Sequence, residues 1–185
     1  MTKLVGIAGS LRAGSLNMAL LKASADLLPD AASMEIGSIA AIPLYNADIE
    51  QTDGIPEAVA RLQDQIAAAD GLVIATPEYN NAMPGVLKNA MDWLSRPPNQ
   101  IRRVFGDLPV ALMGASPGGF GTVMAQAAWL PVLKTLGARP WSGARMLVSR
   151  AAQSFDANGA LTDVSLGERI REFMAGFVEF VNSAG

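Results

Sequence analysis

Three stretches of this sequence gather residues able to hold an anionic, planar ligand. The first is Gly9-Ser-Leu-Arg-Ala-Gly-Ser-Leu-Asn17, which follows an apolar run and opens a helical pattern. Free N–H groups at a helix start, together with the helix dipole, make an anion site. Ser10, Ser15 and Asn17 add neutral donors, and Arg12 adds a guanidinium suited to phosphate oxygens. A Walker A loop needs lysine after its second glycine, where this chain has Ser15 after Gly14. Gly6, Gly9 and Gly14 do not meet the dinucleotide pattern G-x-G-x-x-G either. A hydroxyl-rich loop without those signatures suits a terminal monophosphate better than a pyrophosphate. The plainer alternative is an ordinary turn capped by Ser15 or Ser10.

The second stretch is Thr76-Pro-Glu-Tyr-Asn-Asn-Ala-Met-Pro-Gly85, stiffened by its prolines. Stiffness lowers the ordering cost of binding a flat ligand. Peptide groups here can meet the polar edge of a ring while Tyr79 covers one face. Glu78 can cap a helix or bond within the loop, and a purely structural crossover is the alternative. The third stretch, Gly114–Gly121, holds Gly118, Gly119 and Gly121, which permit close backbone approach to a ligand. By itself it reads equally well as a flexible turn. If all three border one crevice, they supply a phosphate end, a ring shelf and a permissive wall, the parts of a mononucleotide pocket.

What the chain lacks narrows the chemistry. There is no histidine and no cysteine. A Ser-His-Asp hydrolase, a His-built zinc site, a thiolate nucleophile and disulfides are thereby excluded. Any redox chemistry must be carried by a cofactor or by the substrate. Net charge is −3 and the cations form no block, which speaks against a nucleic-acid partner. The N-terminal apolar run is too short for a signal peptide. No stretch reaches the roughly 18 apolar residues of a membrane span. A soluble, cytoplasmic protein is expected, and 185 residues suit a single domain spanning 1–185.

Stepping outward from the loops, apolar segments of strand length alternate with segments of helical period, the pattern of βαβ units around a parallel sheet. Strands are expected at Lys3–Gly9, Ser33–Ser38, Leu72–Thr76, Pro109–Ala115 and Gly143–Val148. Helices are expected at Ser15–Leu28, from Pro56 to about Ala69, at Pro84–Ser95, Thr122–Leu136 and Asp163–Asn182. Pro131 should kink or split the fourth helix. The expected fold is α/β, a three-layer doubly wound, flavodoxin-like arrangement with strand order 2-1-3-4-5. Ligands in such folds sit at the carboxyl ends of the strands, at the switch point between strands one and three, as FMN does in flavodoxin. Lys88 and Asp92 form a helical i,i+4 pair; Arg102-Arg103 reads as a solvated loop, with the 2′-phosphate of NADPH or an acidic neighbour as the alternative; and Trp93, Trp129 and Trp141 read as packing or interface residues.

The chain resembles the NADPH-dependent FMN reductase family, which includes bacterial quinone, chromate and azo-dye reductases. The match is carried by Gly9-Ser-Leu-Arg12 with Ser15-x-Asn17, by Pro77-Glu-Tyr-Asn80, and by Pro84-Gly85 with Leu87-Lys-Asn-Ala-x-Asp-Trp-Leu-Ser95. Gly114-Ala-Ser-x-Gly-Gly119 and Phe155-Asp-x-x-Gly159 extend it. The resemblance implies FMN as cofactor, NADPH or NADH as co-substrate, and ping-pong hydride transfer to a small-molecule electron acceptor such as a quinone or free flavin. It implies that Ser10, Arg12, Ser15, Asn17 and Met18 hold the phosphate and ribityl chain. Pro77, Glu78, Tyr79 and Asn80 would line the isoalloxazine, with Ser116 and Gly119 closing the pocket. A homodimer or homotetramer is implied as well. Two departures stand out: Asp107-Leu108-Pro109 replaces a common Gly-Lys-Pro, and Leu130-Pro131 replaces a common Leu-Arg. A flavodoxin-type electron carrier and a non-catalytic flavin-binding module remain alternatives, although such carriers tend to be much more acidic.

Overall fold

Strands that are apolar at every position can pack only where both faces of a sheet are covered. In the computed structural model, which describes residues 1–183, this is realised by β3 (Gly71–Ala75), where every residue is buried. Its side chains alternate: Leu72 and Ile74 enter one core, Val73 and Ala75 the other. β1 (Thr2–Ala8), β2 (Ala32–Gly37) and β4 (Pro109–Ala115) complete the centre of a parallel sheet in the order β2-β1-β3-β4. Beyond β4 lie β5 (Arg139–Pro140) and β6 (Met146–Val148), each pairing parallel with β4. The expected 2-1-3-4-5 order is what the structure has.

Helices cover both faces. α1 (Leu16–Asp26) and α7 (Val164–Asn182) bury Leu20, Leu21, Ile170 and Phe177 against one face. On the other lie α3 (Glu57–Ala67), α4 (Gly85–Leu94), α5 (Ile101–Phe105) and α6 (Val123–Leu136), with Ile66, Trp93, Phe105 and Leu133 in the second core. α2 (Ala47–Asp53) buries no residue.

Four features depart from expectation. The fifth strand is interrupted rather than continuous over Gly143–Val148. Pro140 has no N–H to extend the ladder, and the Trp141 ring turns in to pack edge-on against Phe173, 4.9 Å between centroids. The exposed Ser142–Arg145 segment therefore leaves the sheet, which resumes at Met146. α2 carries no apolar period; Asn46 starts it by accepting the Asp48 N–H at 2.9 Å. Arg102-Arg103 lies within the short helix α5, and Arg103 pairs with Asp64 at 2.9 Å. Pro131 does not split α6. It sits on the exposed side, and the carbonyl it leaves without a helical partner belongs to exposed Ala127, where water can satisfy it.

Candidate nucleotide-binding cleft

The carboxyl ends of β1, β3 and β4 lie side by side, since Ala8 pairs with Ala75 and Ala75 with Met113. The Gly9 N–H donates to the Ala75 carbonyl at 2.9 Å, so the first loop leaves the sheet at a fixed point. Ser15 is the N-cap of α1, its Oγ accepting the Met18 N–H at 3.1 Å, and its carbonyl accepts the Ala19 N–H. The N–H groups of Leu16 and Asn17, in the first turn, meet no protein acceptor among the described residues. Arg12 is exposed and enters no ion pair among them. A charge-bearing donor, two hydroxyls and two free N–H groups thus border one helix start, the donor set that a phosphate requires.

Asn17 serves differently. It is 3% exposed; its Oδ1 accepts the Ala115 N–H and its Nδ2 donates to the Ala115 carbonyl, both at 2.9 Å. The side chain joins α1 to the end of β4, leaving the backbone N–H of Asn17 to face an anion.

The second loop is rigid for identifiable reasons. Tyr79 and Ala82 exchange two backbone hydrogen bonds, at 3.0 and 3.1 Å, around Asn80 at φ 53° and Asn81 at φ 60°. Two successive positive φ angles mark a tight turn of the I′ kind, where asparagine is well tolerated. Tyr79 is 45% exposed beside it. Thr76 donates its hydroxyl to the Pro77 carbonyl at 3.0 Å and accepts the buried Trp129 indole N–H at 3.1 Å. Glu78 takes the capping option across the chain: its Oε2 accepts the Met124 N–H at 2.8 Å and the Ala125 N–H at 3.0 Å.

The third loop depends on glycine at two places. A Cβ on Gly114 would stand 1.9 Å from Thr122 Oγ1 and 2.5 Å from the Thr76 carbonyl, so only glycine lets the loops approach. Gly121 has φ +63° and would press on Leu147. Ser116 is fixed by donating its N–H to the Val148 carbonyl and accepting the Ala151 N–H. Gly119 faces open space, and Phe120 is 84% exposed.

These walls bring Ser10, Arg12, Ser15, Asn17, Pro77, Glu78, Tyr79 and Ser116 around one cleft. Asn80 and Gly119 are not among the residues that line it, and Met18 lines an adjoining hollow with Ser10 and Arg12. Reading the sequence missed the Leu16 N–H, whose signal was its place directly after the cap, and also Ala115 and Pro117. The cleft encloses only about 70 Å³, against about 300–1,000 Å³ for pockets that engulf a small molecule. It can enclose the phosphate end of a mononucleotide, while a flavin ring would rest on the open shelf beyond. A larger hollow of about 600 Å³ lies between α1 and α7, away from the strand ends. Size does not outweigh donor chemistry at the switch point.

A strap, residues 43–50, is tied to α4 and to Arg96 just beyond it. Asn89 accepts the Tyr45 N–H through Oδ1 and donates to the Pro43 carbonyl, both at 2.8 Å. The Trp93 indole N–H donates to the same carbonyl at 2.9 Å. Arg96 Nε donates to both oxygens of Glu50, at 3.0 and 2.8 Å, and the Tyr45 hydroxyl donates to it at 2.9 Å. Hydrogen bonding from Arg96 holds the Glu50 carboxyl below its ordinary range, and hydrogen bonding to Glu50 raises the Tyr45 phenol. Asn89 and Trp93, in the helical motif, are therefore bracing residues. Lys88 and Asp92 form the expected pair at 2.6 Å.

The family model for NADPH-dependent FMN reductase matches residues 2–153. An NAD(P)H-dependent FMN reductase of Pseudomonas aeruginosa is 46% identical over 170 residues, covering 92% of this chain and 90% of that protein. A 2-hydroxy-1,4-benzoquinone reductase of a Burkholderia species is 38% identical over 179 residues, covering 97% and 96%. Among solved structures, a flavoenzyme NAD(P)H:(acceptor) oxidoreductase of Paracoccus denitrificans superposes with a TM-score of 0.89 at 32% identity, over 100% of both chains. With the phosphate-type donors at the switch point and the shelf beside them, these matches place the chain in the NADPH-dependent FMN reductase family.

Proposed function

We propose that this chain is an FMN-dependent NAD(P)H oxidoreductase that passes electrons to quinones, free flavin or similar small acceptors. The observation that carries the reading is the anion site at the start of α1, open to the shelf formed by the second loop. Ser10, Arg12, Ser15 and the Leu16 and Asn17 N–H groups would hold the FMN phosphate. Met18 would flank the ribityl chain, while Pro77, Glu78, Tyr79 and Asn80 line the ring and Ser116 and Gly119 border it. Bound FMN supplies the redox chemistry, so a chain without histidine or cysteine needs no acid or base of its own. The open shelf suits NADPH or NADH and the acceptor visiting the same place in turn. An electron carrier would need no such access for two small molecules.

The same reading makes the partner a small acceptor rather than nucleic acid or membrane, and the setting cytoplasmic. Among the described residues no helix is long and apolar enough to cross a membrane. Along α6, Val123, Ala127 and Leu130 line an apolar groove, with Met124 beside them 53% exposed. Apolar surface of this kind supports a homodimer or homotetramer.

The test is a visible spectrum of the protein with FMN, recorded before and after anaerobic NADH or NADPH. Bleaching of bound flavin, then recovery on adding a quinone, is the expected result. Flavin that binds but stays oxidised with both nucleotides would identify an electron carrier or a non-catalytic module. No binding would overturn the reading of all three loops.

A further inference from the structure

Helix α6 begins without a cap of its own. Thr122 precedes it at φ −128°, ψ 41°, and makes no side-chain capping bond; its hydroxyl instead accepts from the Gln126 amide at 3.1 Å. The N–H groups of Met124 and Ala125, the second and third of the helix, are the pair an N-cap oxygen normally accepts. Both are taken by one oxygen of Glu78, 46 residues earlier for Met124. The helix that follows the glycine-rich wall thus takes its cap from the ring shelf.

Glu78 is well placed to act as a fixed post. On one side stands buried Pro77, on the other the Tyr79–Ala82 turn with its two backbone bonds. The wall it holds has little other support. Among the described residues, the hydrogen bonds between Pro117 and Phe120 are to the Gly118 carbonyl, which accepts the Arg150 N–H at 2.8 Å and a long contact from Ser116 Oγ at 3.4 Å. Side-chain positions at Gly118 and Gly119 would meet almost nothing. A carboxylate at a helix N-terminus is also favoured by the helix dipole.

We infer that Glu78 is a positioning residue: its carboxylate clasps the start of α6 to the shelf and so sets the gap between the two walls that flank the flavin ring. The inference rests on the flavin reading above, but it assigns the side chain to the protein's own frame rather than to the ring. Two consequences separate this role from direct contact with the flavin. Removing the carboxylate loosens α6 and the glycine-rich wall even without cofactor. Glutamine, which keeps an acceptor oxygen at the same reach, restores the clasp without the charge.

The experiment compares wild type with Glu78→Ala, Glu78→Asp and Glu78→Gln. One readout is amide hydrogen exchange at Met124 and Ala125 in cofactor-free protein; the other is FMN affinity from quenching of flavin fluorescence. Glu78→Ala should lose protection at both amides and bind FMN about tenfold more weakly, Glu78→Asp should fall between, and Glu78→Gln should stay within about threefold of wild type on both readouts. If Glu78→Ala does not fold, Asp against Gln carries the same contrast. Lost protection with unchanged FMN affinity would overturn the inference and leave the flavin reading standing. Weak binding in Glu78→Gln with its amides still protected would equally overturn it, by making the charge rather than the clasp decisive. Wild type that binds no FMN would overturn the flavin reading and this inference with it.

Discussion

Single atoms decide how the cleft is built. Ser15 has both a structural and a binding position: its Oγ caps α1 while the adjacent Leu16 and Asn17 N–H groups stay free for an anion. Ser15→Ala should cost about 1 kcal/mol of stability, read from denaturant unfolding without cofactor. Arg12 is different, since it is exposed and enters no ion pair among the described residues. Arg12→Ala should leave apo stability unchanged and weaken FMN by about 10- to 100-fold, the scale of one charged hydrogen bond at about 1.5–3 kcal/mol. Riboflavin, which has no phosphate, should bind both proteins alike; an equal loss for riboflavin would remove Arg12 from the phosphate. Gly114→Ala would drive a methyl into Thr122 Oγ1 and the Thr76 carbonyl. Destabilisation of about 1–3 kcal/mol is expected, with a lower Tm and poorer FMN retention.

At the scale of elements, polar contacts brace what the two cores do not reach. α2 buries nothing, yet Glu50 ties it to Arg96 beyond the end of α4. Because Arg96 holds the folded Glu50 carboxyl below its ordinary range, Glu50 ionises more readily folded than unfolded, where a free glutamate titrates near about 4.3. Its contribution to stability is complete above that value and disappears as pH falls through the lower folded one. Glu50→Gln should therefore lower Tm at neutral pH, and in paired melts the difference from wild type should close only as pH falls below the free-glutamate value and through the lower folded one. Asp163 is also held low, by the Leu166 N–H and then the Ser154 hydroxyl, but it is present in both proteins and cancels from the difference. A gap independent of pH would assign the effect to packing instead.

For the whole molecule, the sheet brings three loops from distant parts of the sequence to one edge. The shelf lies open, and the loops and helix around it carry exposed apolar residues: Tyr79 on the shelf itself, Phe120 in the third loop and Met124 in the first turn of α6. Light scattering on the purified chain is expected to give a dimer or tetramer. Leu130→Glu, at a site 49% exposed in the single chain, should shift that mass toward monomer with little change in the folded spectrum. An unshifted mass would place the contact on another face.

The alternation of apolar runs, the glycine-closed strand ends and the absence of histidine and cysteine determined from sequence alone the parallel doubly wound fold, its strand order and cofactor-borne chemistry. Periodicity and composition are local properties; the strand order follows from them only through the fold class that the alternating pattern indicates. Short elements escaped because they have no period: α2 has no apolar face, α5 is five residues long, and the break between β5 and β6 depends on where Trp141 finds its partners on α7. Within the cleft, residue types pointed to a candidate phosphate loop and ring shelf but not to the division of labour among them. Asn17 had the composition of a phosphate donor, and Glu78 had two capping choices. Only the tertiary structure set Asn17 against Ala115 and Glu78 against α6, because a side chain's partner is fixed by what long-range packing brings within about 3 Å of it.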